Sequence, residues 1–141
     1  MVTAQIMLVD DFKPWRLTLR STLEEIPGLK VIAEAGNALE AIEKASQLLP
    51  DIVLLDIAMP ILNGLEVAPR IRRVSPRSKI IFLTQEHDDE IRTAALAAGA
   101  DGYLSKSKMT VELRPAINAA LLSLYPRPAV QSCPIAFSIR D

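Results

Sequence analysis

The 141-residue sequence predicts an α/β fold in which a parallel sheet of five strands is wound on both faces by helices. Two observations predict it. Five short apolar runs recur along the chain: QIMLVD (5–10), KVIAEA (30–35), DIVLLD (51–56), KIIFLT (79–84) and DGYLSK (101–106). The segments between them carry apolar residues at helical spacing. Alternating strands and helices imply parallel strands joined by crossover helices. The right-handed rule for such crossovers leaves only a few doubly wound topologies.

Each element has its own justification. QIMLVD is a buried-strand run that ends on two acids, Asp10 and Asp11. Residues 14–26 place Trp15, Leu19, Leu23 and Ile26 on one helical face, which makes Trp15 a core residue. Pro14 suits the first helical turn, where a missing N–H costs nothing. KVIAEA forms the second strand. Residues 38–49 give the clearest helix, with Ala38, Ala41, Ile42, Ala45, Leu48 and Leu49 on one face; Asn37 and Glu40 have the spacing of a capping box. In DIVLLD, four consecutive apolar residues suit a strand buried on both faces, and the run stops abruptly at a carboxylate, Asp56. Asn63 and Glu66 repeat the capping signal ahead of a helix over 63–74. KIIFLT closes on Thr84, with Gln85 and then an idle, exposed His87 in the loop beyond. The alanine-rich helix over 88–98 stops at Gly99, a natural residue for a left-handed helix end. DGYLSK brings Tyr103 and Lys106. Residues 110–125 set Leu113, Ile117, Ala120, Leu121 and Leu124 on a last stripe.

Pro69 and Pro115 fall inside two of these helices. Each removes a backbone hydrogen bond, so a kink or a late start is expected at both. After Tyr125, PRPAVQSCPIAFSIRD has no helical stripe and several prolines, the composition of a linker or tail. The expected organisation is therefore a folded domain over 4–125 and a linker or tail over 126–141.

Composition narrows the function. A net charge of −1 gives no global attraction to nucleic acid or an anionic membrane. The single cysteine, Cys133, provides neither a disulfide framework nor a cysteine metal site. Residues 1–9 lack a basic leader, and no apolar run approaches the length of a spanning helix, so a cytoplasmic protein is expected.

In doubly wound sheets the ligand crevice lies beyond the C-terminal ends of the strands. Asp10, Asp11, Asp56, Thr84 and Lys106 all stand at those ends. Gathered carboxylates repel one another unless a cation sits among them. All-oxygen ligation with few protein ligands is the usual Mg²⁺ pattern. A carboxylate beside such an ion can act as a nucleophile and take a phosphoryl group as an acyl phosphate, with Lys106 and the Thr84 hydroxyl available to its oxygens. The alternative is that Asp10 and Asp11 cap the first helix and Asp56 the third, which leaves three acids on neighbouring strand ends hard to explain.

The motifs LVDD (8–11), LLDIAMP followed by NG (54–64), IIFLT (80–84) and AGADGYLSK (98–106) together resemble the receiver domain of two-component response regulators. The likeness runs over about residues 4–125 and is greatest to receivers that usually precede a helix-turn-helix output domain. It implies a flavodoxin-like sheet of order 2-1-3-4-5. It also implies Asp56 as phosphoacceptor, with Mg²⁺ held by Asp10, Asp11, Asp56 and the backbone carbonyl of Ala58. Thr84 and Lys106 would contact the phosphoryl group, and Thr84 and Tyr103 would form the switch. The implied partner is a sensor histidine kinase, and a homodimer is compatible with the pattern. The helix-turn-helix that follows such receivers is not among these residues, so neither DNA nor membrane contact is expected of them; the chain is either a single-domain regulator or part of a longer one. No small-molecule turnover is expected beyond assistance to its own phosphorylation and dephosphorylation.

Two positions depart from the family pattern. Ala58 replaces a polar side chain, and Gln85 stands where a small residue is general, so altered phosphorylation kinetics are expected. These departures support one competing reading, a degenerate receiver that binds partners without phosphorylation. A Mg²⁺-dependent phosphatase of the haloacid-dehalogenase type also uses an aspartate after a strand, but it needs a second acid two residues on, where Ala58 stands. A dinucleotide enzyme would need a glycine in the first turn, VDDFKPW, which has none.

Overall fold

The computed structural model describes residues 3–59, 63–85 and 89–122. His87, Leu124, Tyr125, Cys133 and the proposed linker lie outside them. The strands are β1 (Ala4–Val9), β2 (Leu29–Ala35), β3 (Ile52–Asp56), β4 (Lys79–Thr84) and β5 (Gly102–Ser105). The helices are α1 (Lys13–Glu24), α2 (Ala38–Leu48), α3 (Gly64–Val74), α4 (Asp89–Ala97) and α5 (Met109–Leu122), with one 3₁₀ turn at Lys106–Lys108 before α5. All four strand pairings are parallel, and the sheet order is β2-β1-β3-β4-β5, the flavodoxin-like order.

Burial explains why these runs became strands. Every residue of β3 and β4 is buried, as expected of central strands with a helical layer on each face. Alternate side chains then feed two cores. Met7, Val53, Leu55, Ile80 and Phe82 join Val67 and Ile71 of α3 on one face. Ile6, Leu8, Leu54, Ile81 and Leu83 meet Leu19 and Leu23 of α1 and Leu113 and Ile117 of α5 on the other.

The helix ends follow local chemistry. Asn63 and Glu66 form a complete capping box at the start of α3. At α2 only half of the expected box forms: the Asn37 side chain accepts from the Glu40 N–H, but the Glu40 carboxylate turns instead to the Gly36 N–H at 2.7 Å and to Lys44. Gly99, at φ 89°, ends α4 with the Ala100 N–H donating to the Ala95 carbonyl and its own N–H to Leu96.

Three expectations need correction. Leu48 and Leu49 are exposed, because α2 ends at Leu48 and Leu49 turns left-handed (φ 49°), away from the stripe. Of the kink or late start expected at each proline, the late start does not occur: α3 begins at Gly64 and α5 at Met109, and both remain helical through Pro69 and Pro115. Burial of Val67, Ala68 and Ile71 in one helix and of Leu113 and Ile117 in the other offsets the lost hydrogen bond. Trp15 is only partly buried, at the margin of its core cluster.

Candidate functional site

Strand register brings the acids together. Val9 of β1 pairs with Leu55 of β3, so Asp10 and Asp56, one residue on, stand abreast. Thr84 ends β4 beside them, paired with Ser105 of β5, and Lys106 follows at once. Carboxylate oxygens of Asp10, Asp11 and Asp56 all lie within 4.8 Å of one another. Asp10 and Asp56 are buried and Asp11 is exposed, so the cluster opens to solvent on one side.

These acids are not helix caps. The N-cap residue of α1 is Phe12, without a side-chain cap, and that of α3 is Asn63. The Asp10 carboxylate instead accepts from the Phe12 N–H at 2.8 Å, which tightens the turn after β1. Asp56 accepts from the Ala58 N–H at 3.2 Å.

Among the described residues, one cation is paired with the buried acids. The Lys106 Nζ lies 2.7 Å from Asp10 Oδ2 and 3.6 Å from Asp56 Oδ1. A single ammonium does not neutralise three carboxylates, and the titration of Asp56 reflects this. Burial, with the neighbouring Asp10 charge next and Asp11 a smaller contributor, raises its pKa to about 6. Lys106 and the Ala58 N–H pull the other way and are outweighed. A close, all-oxygen, electron-rich cluster short of positive charge is what a hard divalent cation fits.

The loop after β3 is packed against the start of α3. The Gly64 N–H donates to the Ile57 carbonyl at 3.0 Å. A Cβ on Gly64 would stand 2.4 Å from the Asp56 carbonyl oxygen and 2.9 Å from the Ile57 Cα. Only glycine permits this approach, so the glycine of the NG motif serves packing beside Asp56.

Thr84 is buried and Tyr103 is partly buried against the core that contains Phe82, its partner in the β4–β5 pairing. Ala58 is exposed, and its side chain is only a methyl group. Gln85 is also exposed and lines a pocket of about 390 Å³ with Phe12, Trp15 and Lys106.

Two contributors escaped sequence reasoning. The Trp15 ring lies 5.2 Å from the Lys106 ammonium, a cation–π distance. Arg16 donates to the Asp10 carbonyl. Helical spacing assigned Trp15 to the core and was silent on Arg16. A signal was present: a cation in a first helical turn opposes the helix dipole and asks for another reason to be there.

The chain is similar in sequence and in fold to known proteins. A family model described as the response regulator receiver domain matches residues 6–118. The chain is 37% identical over 118 residues to the nitrate/nitrite response regulator protein NarL of Escherichia coli K12, covering 83% of this chain and 54% of that protein. It is 35% identical over 113 residues to the response regulator GacA of Pseudomonas viridiflava, covering 80% and 53%. The chain thus spans little more than half the length of these relatives. Among solved structures, a LuxR-family two-component response regulator from Aurantimonas sp. SI85-9A1 superposes with a TM-score of 0.81 at 38% identity, covering 85% of this chain and 86% of that one. The response regulator domain of Thermotoga maritima CheB gives 0.77 at 27% identity, covering 89% and 99%.

Proposed function

The chain belongs to the response regulator receiver family, and from that premise we propose that it is a phosphorylation-dependent signalling switch with Asp56 as phosphoacceptor. The observation that carries this is the convergence of Asp10, Asp11 and Asp56, carboxylate oxygens within 4.8 Å, beside the Lys106 ammonium.

Mg²⁺ would be held by the carboxylates of Asp10, Asp11 and Asp56 and the backbone carbonyl of Ala58. When bound, it supplies charge neutralisation and a docking point for a phosphate oxygen. The chain's own groups do the rest. An Asp56 carboxylate oxygen attacks phosphorus, and the phosphorus–nitrogen bond to a phosphohistidine donor breaks as the new oxygen–phosphorus bond forms. Lys106 leaves Asp10 for the phosphoryl oxygens, and the Thr84 hydroxyl donates to another. Tyr103 follows Thr84 inward, which changes the face formed by α4, β5 and α5. A groove of about 430 Å³ runs there, lined by Leu96, Tyr103, Lys108 and Glu112 among others. That face is the proposed output surface, and phosphate on Asp56 shifts a pre-existing equilibrium between its two arrangements.

The donor would be a sensor histidine kinase, and the response would be control of a partner or an output domain, with transcription regulation as the proposed outcome. Residues 4–125 are proposed as the receiver and 126–141 as a linker or tail. No helix among the described residues is long and apolar enough to cross a membrane.

Incubation with acetyl phosphate and Mg²⁺ tests the reading. The expected result is a mass gain of one phosphate that disappears on chelation and in Asp56→Asn. A wild-type protein that gains no mass would favour the phosphorylation-independent module instead.

A further inference from the structure

Arg16 acts on the acid cluster without touching a carboxylate of it. Its Nη1 donates to the Asp10 backbone carbonyl at 2.5 Å, and its Nε donates to Glu34 Oε1 at 3.0 Å. The side chain is 14% exposed, and both bonds are partly buried. Glu34, on β2, is steadied from the other side by Arg20 Nη1 at 2.8 Å. Gly36 lies so near that a Cβ there would stand 3.3 Å from Arg16 Nη1.

The position matters because of what the loop carries. β1 ends at Val9, and the Asp10 N–H still pairs with the Ala35 carbonyl. The bond from Arg16 continues on the Asp10 carbonyl where that ladder stops. Two acids follow one another at this turn, facing a third, and their repulsion tends to spread it. A guanidinium meets two acceptors in a fixed relative geometry, which an ammonium on a flexible stem does not.

We propose that Arg16, anchored by Glu34, is a positioning residue that holds the Asp10–Asp11 turn in the arrangement that binds a divalent cation. The inference rests on the metal site of the proposed function. Groups one bond removed from metal ligands typically matter by about 10- to 100-fold in affinity.

The test is the rise of the thermal unfolding midpoint with added Mg²⁺, which reports binding through linkage and needs no phosphorylation. Wild type is compared with Arg16→Met, Arg16→Lys and Arg20→Met. Arg16→Met is expected to need about tenfold more Mg²⁺ for the same rise, and Arg16→Lys nearly as much. Arg20→Met loses an ion pair to the same Glu34 without reaching Asp10. It should lower the metal-free midpoint and keep the wild-type Mg²⁺ requirement, which separates positioning from general support. If Arg16→Met does not fold, Glu34→Met carries the same test, since it keeps Arg16 and removes both oxygens of the carboxylate that anchors its guanidinium. An unchanged Mg²⁺ requirement on loss of Arg16 or Glu34, or an equal change in Arg20→Met, overturns the inference alone. A wild-type midpoint indifferent to Mg²⁺ overturns the metal site and the inference with it.

Discussion

At the residue scale, Asp56 is 3% exposed with a second buried carboxylate abreast of it. Its pKa of about 6 in the folded protein lies above its ordinary 3.8. The folded state therefore binds more protons than the unfolded chain between these values. The stability it contributes is lost as pH rises through that window and stays lost above it, a penalty of up to about 3 kcal/mol. Asparagine does not titrate. In metal-free buffer, Asp56→Asn should unfold at higher urea concentration than wild type at pH 8, with the difference vanishing near pH 4. Equal midpoints at both pH values would mean that the carboxylate is not strained. The sequence made the acids legible because they close apolar runs, where a charge needs a reason. Trp15 and Arg16 were not legible in the same way: each acts across a tertiary contact, Trp15 on Lys106 and Arg16 on a carbonyl, and neither is encoded by local spacing.

At the element scale, α3 is anchored at its start by two separate devices. The Asn63–Glu66 capping box satisfies orphan N–H groups, and Asn63→Ala should cost about 1 kcal/mol in urea unfolding. Gly64 is different in kind, because a methyl group would meet backbone rather than a movable side chain. Gly64→Ala should cost about 2 kcal/mol or more and should also slow phosphorylation of Asp56, while Asn63→Ala leaves the rate near wild type. A Gly64→Ala protein with normal stability and rate would show that the loop after β3 yields easily. Helix identity was readable from apolar period, but the ends of the stripes were not. Leu48 and Leu49 fit the pattern of α2 and still fall outside the core: Leu48 is the exposed last residue of the helix, and Leu49 turns left-handed beyond it. Pro69 and Pro115 show the reverse: burial on the helix face outweighs a local breaker.

At the scale of the whole molecule, the buried apolar side chains among the described residues run from Ala4 to Ala120. Removing residues 126–141 should leave a single cooperative thermal transition with the wild-type midpoint; a large drop would place part of the fold beyond the proposed boundary. Loading with beryllofluoride and Mg²⁺ should raise the mass seen by light scattering to that of a dimer, if the face of α4, β5 and α5 reads out by self-association. An unchanged mass removes dimerisation as the output. Periodicity alone left several doubly wound orders open, because a sequence does not reveal which side of β1 receives each crossover. The motifs at the strand ends implied β2-β1-β3-β4-β5, and that order sets Asp10 beside Asp56. The decisive measurement is the position of the label. After phosphorylation with Mg²⁺, borohydride reduces an aspartyl phosphate to homoserine, which peptide mass mapping locates. The account predicts homoserine at position 56 alone; reduction at another residue, or at none in a protein that has bound Mg²⁺, contradicts it.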